Sequence, residues 1–448
     1  MAYIPHTEDE RRAMLKAVGV KTLDDLYQAV PAAVRFPDLD LPEAVSELEV
    51  MEELQALSEA NLDARHTACF LGAGAYHHFI PSVVDHILSR GEFYTAYTPY
   101  QPEVSQGTLQ AIFEYQSLIC NLTGMDVSNA SHYDGATALA EAVILAYNHH
   151  RGKRAKVVLS AGIHSHYRQT VRTYMQGMGL KLVGDESLAN DSAALAGMLD
   201  ADTMMVAVQY PDFFGRIEDF AALGKAAHAV GALLCVCVNP LALGLLKPPS
   251  EFDADVVIGE GQPLGIPMSF GGPSLGIFTV KKDFVRKMAG RLVGETVDSR
   301  GQRGFVLTLS TREQHIKREK ATSNICSNVA LMALASAVYL SVMGKQGLRQ
   351  VAELCYHKAH YAAEQIRGLK GYTLWNKGEF FHEFVVRCPR PVAEINRFLL
   401  EESEVLGGYD LGQDYPELKD HMLIAVTEMN SKERIDDLVA GLKEVAHG

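Results

Sequence analysis

The sequence predicts an α/β protein whose main domain is a mostly parallel sheet with helices on its faces. From residue 66 to residue 330, short apolar runs typical of strands alternate with amphipathic stretches typical of helices. Such alternation favours parallel strands joined by helical crossovers. A helical arm is predicted before this region, over residues 1–65, and a small α+β domain after it, over residues 331–448.

The composition is that of a soluble globular protein, with 48% hydrophobic and 21% charged residues among 448. A formal charge of -14 disfavours nucleic-acid binding, which requires a basic face. No apolar run approaches a membrane span and no signal core is visible, so we expect a cytoplasmic protein without a membrane partner. The seven cysteines, Cys326 among them, fit no zinc pattern and are expected to be reduced and structural.

The arm is predicted to contain short helices. Thr7 and Glu10 have the spacing of a capping box, in which each side chain accepts a hydrogen bond from the other residue's backbone N–H. Thr22 is expected to cap a second helix over residues 23–30. Leucines recur at helical spacing over residues 41–60.

The strands of the main domain are predicted at residues 155–160, 181–185, 203–210, 232–239 and 254–260. Beyond residue 330, one or two long helices lead into strands within residues 381–389, 405–411 and 421–428 and a closing helix over residues 431–446. Ligand sites in parallel sheets follow the carboxyl ends of the strands, so candidate residues are sought there.

The most unusual segment is the loop at residues 93–107, FYTAYTPYQPEVSQG. Its four aromatic residues and two prolines argue against a regular helix or a central strand. The density of hydroxyl and amide groups suits a pocket wall or a subunit contact. A loop that only packs on the core explains the composition equally well.

Two segments after predicted strands could bind an anion or a metal. The small residues that follow Asp134 lead into an alanine-rich helix whose free N–H groups favour an anion, but Asp134 itself would repel phosphate and favours an ordinary helix cap. His164 and His166 have no third ligand at metal-site spacing, which favours hydrogen bonding within the loop. A basic stretch further on is either a solvated face or a positive rim for an anion or an acidic partner: Arg312, His315, Lys317, Arg318 and Lys320.

Residues 94–142, together with residues 321–340, resemble glycine decarboxylase, the P-protein of the glycine cleavage system. The string YTPYQPEVSQG is too long and irregular for a chance match, and the resemblance extends over nearly the whole chain. The family occurs as one long polypeptide with two similar halves or as two separate subunits. At this length the chain resembles the separate N-terminal-half subunit, called alpha.

The resemblance implies the fold of the aspartate-aminotransferase class, fold type I of the pyridoxal-phosphate (PLP) enzymes. That class implies an acidic residue beside the pyridinium nitrogen and a lysine that forms the Schiff base. Asn239 stands where the acid is expected, Gln262 lies near the expected lysine, and no lysine occurs between residues 248 and 280. Both positions are interpreted as vestigial, so PLP is expected on the beta subunit.

The resemblance further implies an assembly of two alpha and two beta chains. This enzyme, a glycine dehydrogenase of the oxidoreductase class, decarboxylates glycine on PLP and transfers the aminomethyl group to the lipoyl arm of H-protein. On this chain we expect no catalytic residue and no metal, but a wall of the active site at the contact with beta. The expected wall residues are Tyr94, Tyr97, Thr98, Tyr100, Gln101, Glu103 and Ser105, with Asn129 and Ser131 as weaker candidates.

Two alternatives remain at this point. The chain could be a purely structural partner of beta that touches no substrate. It could also be an independent PLP enzyme that uses another lysine, such as Lys247 or Lys281.

Overall fold

The structure, a computed structural model, describes residues 6–325 and 329–446. The chain divides into two compact units, residues 1–62 and residues 63–448. The six cysteines within the described ranges are free thiols, and Cys326 lies outside those ranges.

The helices, in chain order, are α1 (Glu8–Val18), α2 (Glu47–Glu59), α3 (Ser82–Leu88), α4 (Gly91–Tyr94), α5 (Gln106–Thr123), α6 (Gly135–His149), α7 (Ser165–Tyr174), α8 (Ser192–Gly197), α9 (Ala221–Ala229), α10 (Gln314–Lys317), α11 (Ala330–Arg367), α12 (Val392–Ser403) and α13 (Lys432–Val445). The strands are β1 (Ala68–Cys69), β2 (Val127–Ser128), β3 (Lys156–Leu159), β4 (Lys181–Val183), β5 (Thr203–Tyr210), β6 (Leu233–Val238), β7 (Val256–Glu260), β8 (Gly276–Val280), β9 (Leu292–Val297), β10 (Arg303–Thr308), β11 (Thr373–Leu374), β12 (Glu383–Arg387), β13 (Val405–Leu406), β14 (Tyr409–Asp410) and β15 (His421–Ala425).

The first unit contains α1 and α2. Thr7 and Glu10 form the predicted capping box at the start of α1. The predicted helix after Thr22 is wrong, because residues Asp24–Tyr27 form only a 3-10 turn. Pro31 disfavours the helical backbone conformation at Val30, the last residue of the predicted helix.

The second unit is built on a seven-stranded sheet with the order β2–β8–β7–β6–β5–β3–β4. Strands β3 to β7 are parallel, whereas β8 runs antiparallel to both of its neighbours. All five strands predicted for the main domain are present. Strands β5 and β6 are almost continuously apolar because helices cover both faces of the sheet, with α6 and α7 on one side and α9 on the other.

A second, antiparallel sheet has the order β11–β12–β15–β14. It packs against α12, α13 and the second half of α11 in a separate apolar cluster. Both sheets belong to the unit formed by residues 63–448. The division of this unit near residue 330 stays a prediction.

Helix α11 is interrupted at Gly344, whose φ of 58° lies in the left-handed region. Within the described ranges it is the one helix long and apolar enough to cross a membrane, by length and composition alone. Its first half is buried as predicted, since Ala333, Ala335 and Tyr339 have no exposed surface. These side chains belong to a core cluster, so the apolar composition is explained by packing.

Candidate active site

The carboxyl ends of β5, β6 and β7 border a small cavity, here called the strand-end cavity. Its volume is about 40 Å³, and its lining includes Tyr76, His164, Tyr167, Asn239 and Glu260. This is the edge of the sheet at which open α/β folds bind their ligands.

Asn239 and Gln262, the two residues expected at the cofactor positions, both bond to the protein itself. The Asn239 side-chain oxygen accepts a hydrogen bond from the Leu241 N–H at 3.0 Å, and its nitrogen lies 3.1 Å from Nε2 of His382. The buried Gln262 amide bonds to the backbone N–H and the backbone carbonyl of Tyr76, each at 2.9 Å. Both amides connect distant loops, and neither offers a group that could form an imine.

The amino terminus of α6, where the sequence allowed an anion site, is occupied by a carboxylate of the chain. One oxygen of Glu260 accepts a hydrogen bond from the Gly135 N–H at 3.1 Å. The other accepts from the N–H groups of Gln262 and Leu275 at 3.0 and 2.9 Å. Burial raises the pKa of Glu260 to about 7, although the three N–H donors favour its charged form.

These residues do not fit PLP. Asp134 caps α6, as predicted, by accepting the Thr137 N–H at 2.7 Å, so two carboxylates already surround the place of a phosphate. The Tyr167 hydroxyl packs on Gly135 so closely that a Cβ atom there would lie 2.1 Å from it. A volume of about 40 Å³ has room for a few water molecules, whereas typical cofactor pockets begin at roughly 300 Å³.

The histidine loop after β3 makes the hydrogen bonds that the sequence favoured. Nε2 of His164 lies 2.9 Å from the Ala73 carbonyl oxygen, and Nδ1 accepts from the His166 N–H at 3.1 Å. Desolvation on burial lowers the pKa of His164 to about 4, so the ring is neutral at physiological pH.

Three of the expected wall residues line a second, larger cavity, here called the wall groove. Tyr94, Tyr97 and Thr98 lie along this groove, whose volume is about 190 Å³. Residue Tyr97 is 86% exposed and residue Tyr94 is 70% exposed. No residue in the described part of the chain lines both the wall groove and the strand-end cavity. The two candidate regions are therefore separate surfaces of this chain.

Four more expected wall residues follow along the same loop. The Tyr100 hydroxyl accepts a hydrogen bond from Arg291 Nη2 at 3.3 Å. Gln101 and Glu103 are exposed in the 3-10 turn that follows, and Ser105 is partly buried where α5 begins. None of these four side chains lines the groove itself.

Asn129 and Ser131 are both completely buried. The Asn129 amide donates a hydrogen bond to the Ala289 carbonyl at 3.0 Å, and Ala130 between them is the residue that lines the groove. The side chains of Asn129 and Ser131 therefore pack behind the groove lining and do not form its surface.

Sequence reasoning missed Glu260 and Arg291, which are the charged residues at these two cavities. Glu260 is the last residue of the apolar strand β7, and Arg291 directly precedes β9; a charged residue beside a buried strand end could have drawn attention to both. One residue of the basic stretch, Arg312, has a structural role. Its guanidinium donates a hydrogen bond to the Gly290 carbonyl at 2.9 Å and so fixes the turn beside Arg291.

A family model described as Glycine cleavage system P-protein matches residues 1–442. The chain belongs to the P-protein family. It is 57% identical over 447 residues to the probable glycine dehydrogenase (decarboxylating) subunit 1 of Thermomicrobium roseum, with 99% of each chain covered. The probable glycine dehydrogenase (decarboxylating) subunit 1 of Anoxybacillus flavithermus is 52% identical over 443 residues, with 98% of each chain covered.

A solved glycine decarboxylase P-protein, in inhibitor-bound form, is similar with a TM-score of 0.89 and 44% identity, covering 99% of this P-protein chain and 100% of that chain. A sphingosine-1-phosphate lyase of Burkholderia pseudomallei is similar with a TM-score of 0.65 at 14% identity, over 93% and 94% of the two chains. At that identity the likeness shows the fold alone. The predicted fold class, that of the fold type I PLP enzymes, is confirmed.

Proposed function

We propose that this chain is the alpha subunit of a split glycine decarboxylase and that its beta partner holds PLP covalently. The complex decarboxylates glycine and passes the aminomethyl group to lipoylated H-protein. It is cytoplasmic and contains two copies of each subunit. This chain contributes structure and a wall of the active site at the contact with beta.

The observation that carries this proposal is the Glu260 carboxylate at the start of α6. A cofactor phosphate would have to displace it from the N–H groups of Gly135, Gln262 and Leu275. A phosphate that took these donors would leave the partly buried Glu260 carboxylate without its hydrogen bonds, which costs about 1 to 3 kcal/mol for each bond lost. A chain that fills its own cofactor position in this way works with a cofactor carried elsewhere.

The geometry disfavours an independent PLP enzyme that uses Lys281 or Lys247. Because β8 is antiparallel to β7, Lys281 lies beside the amino end of β7, whereas Glu260 lies at its carboxyl end. The Nζ atom of Lys281 forms an ion pair with Asp255 at 2.8 Å. Lys247 forms an ion pair with Asp219 at 2.5 Å. Neither lysine lines the strand-end cavity.

A purely structural role is disfavoured by the exposed aromatic loop. The rings of Tyr94 and Tyr97 stand largely in solvent beside a groove with an apolar floor, an arrangement typical of a binding surface. The hydroxyl and amide groups of this loop favour a wall that touches substrate over a contact that only stabilises beta.

The test compares the absorbance spectrum of this subunit with PLP, alone and mixed with its beta partner, and measures carbon dioxide release from glycine. We expect this subunit alone to be colourless and inactive with PLP. We expect carbon dioxide release only when both subunits are mixed. A yellow subunit whose colour is trapped by borohydride without beta would refute the assignment of the cofactor.

The wall is tested in the same assay with Tyr97→Phe, Tyr100→Phe and Gln101→Ala. Tyr356→Phe is the matched control, since its hydroxyl bonds Glu379 at 3.1 Å and lies outside both cavities. Reduced carbon dioxide release in the loop variants, with the control unchanged, supports the wall. If all three loop variants keep full activity, the assignment of this loop to the active-site wall is wrong.

A further inference from the structure

One buried charged side chain, that of Arg291, lines the wall groove and has no part in the proposed function described above. Its floor is apolar, formed by side chains such as Ile112, Ala130, Leu331 and Leu334. Among the described residues that line it, Arg291 alone is charged at neutral pH. Arg291 is only 6% exposed, so its guanidinium acts in a region of low dielectric constant.

Arg291 is held in place by groups from two distant segments. Tyr100 accepts a hydrogen bond from Nη2 at 3.3 Å, and the guanidinium carbon lies 5.6 Å from the centre of its ring. Glu313, whose side chain is 7% exposed, places Oε2 at 3.5 Å from Nε. His315 packs edge-on against Tyr100 and places Nδ1 at 3.6 Å from the same Glu313 oxygen. The guanidinium is therefore oriented beside the groove before any ligand binds.

We propose that Arg291 binds the carboxylate of glycine in the wall groove. This inference rests on the proposed function, because it requires the groove to face the cofactor of the beta subunit. A guanidinium forms charge-assisted hydrogen bonds to a carboxylate, and such bonds are strong when water is excluded. The groove volume of about 190 Å³ is large enough to hold glycine.

The chemistry of the reaction predicts which kinetic constant depends on Arg291. The carboxylate charge is present in the bound substrate and disappears as carbon dioxide leaves. An ion pair with Arg291 therefore stabilises the bound substrate at least as much as the transition state. Its loss should raise KM for glycine and leave kcat nearly unchanged.

The experiment uses the complete enzyme with its beta partner and compares Arg291→Gln, Arg291→Lys and Arg303→Gln. Arg303 is the matched control because it is an exposed arginine that pairs with Glu295 at 2.8 Å. Glycine is the substrate, and methylamine, which lacks the carboxylate, is tested as a competitive inhibitor. Complex formation is checked by gel filtration, and Arg291→Lys carries the test if the glutamine variant does not assemble.

We expect Arg291→Gln to raise KM for glycine roughly 10- to 100-fold, the loss that a charged hydrogen-bonded pair predicts. Inhibition by methylamine should stay within about twofold, the lysine variant should recover part of the loss, and the control should behave as the parent. Equal weakening of glycine and methylamine would overturn the proposal and leave Arg291 as a positioning residue of the loop.

An unchanged KM for glycine would also overturn it. Failure of the proposed function itself has a different signature, since the Tyr97 and Tyr100 variants would then keep full activity as well.

Discussion

Replacing Glu260 with glutamine should flatten the pH dependence of this chain's stability. Burial raises the pKa of Glu260 to about 7 in the folded chain, against 4.5 for an ordinary glutamate. Because the folded chain holds this proton more tightly, the stabilisation is complete below pH 4.5 and is lost as the pH rises through 7. Between pH 5 and pH 8 the loss amounts to roughly 2 to 3 kcal/mol.

The amide of Glu260→Gln does not titrate, so this part of the decline should disappear. Glu141 and Glu383, whose pKa values burial also raises to about 7, remain in both proteins and cancel in the comparison. Compared with the parent at the same pH, the variant should also be less stable. An amide has only one acceptor oxygen for the N–H donors of Gly135, Gln262 and Leu275.

The assay is urea unfolding of the full chain, followed by circular dichroism at several pH values between 5 and 8. Glu251→Gln, at an exposed glutamate ahead of β7, is the control and should keep the parent's pH dependence. Parallel pH profiles for the parent and Glu260→Gln would refute the reasoning. They would mean that the three N–H donors offset burial and that the carboxylate is fully charged throughout this range.

Two further predictions concern the framework around the cavities. Gly215→Ala should unfold the loop after β5 or lower soluble yield, because its Cβ would lie 1.8 Å from the Glu383 carbonyl oxygen. Gly177→Ala is the control, since Gly177 has a similar positive φ but lies in open space. It should reduce stability by only about 1 kcal/mol in a thermal melt. Glu428→Gln should destabilise the chain by about 3 kcal/mol at pH 7, because it breaks a buried pair with His78 at 2.7 Å. Burial alone would raise the pKa of Glu428, but His78 lowers it to about 2, so the difference between parent and variant in urea unfolding should shrink as the pH falls from 4.5 toward 2.

Local pattern was sufficient where burial and backbone geometry act over a few residues. The runs TMMVAVQY and LLCVCV are strands because parallel strands buried on both faces must be apolar along their length. The capping boxes and the closing helix α13 also follow from neighbouring residues. The antiparallel direction of β8 and the β9–β10 hairpin were not predicted, since an apolar run carries no information about strand direction.

The sequence by itself determined the family, the α/β class and the absence of a lysine where the fold would place one. Only the tertiary structure decided what stands at that position and what faces the wall groove. Glu260 meets Gly135 across 125 residues, and Arg291 meets Tyr100 across 191. Such pairs are selected by the folding of the whole sheet and by the energetic cost of leaving buried N–H groups and charges unpaired, and no local window of sequence contains both partners.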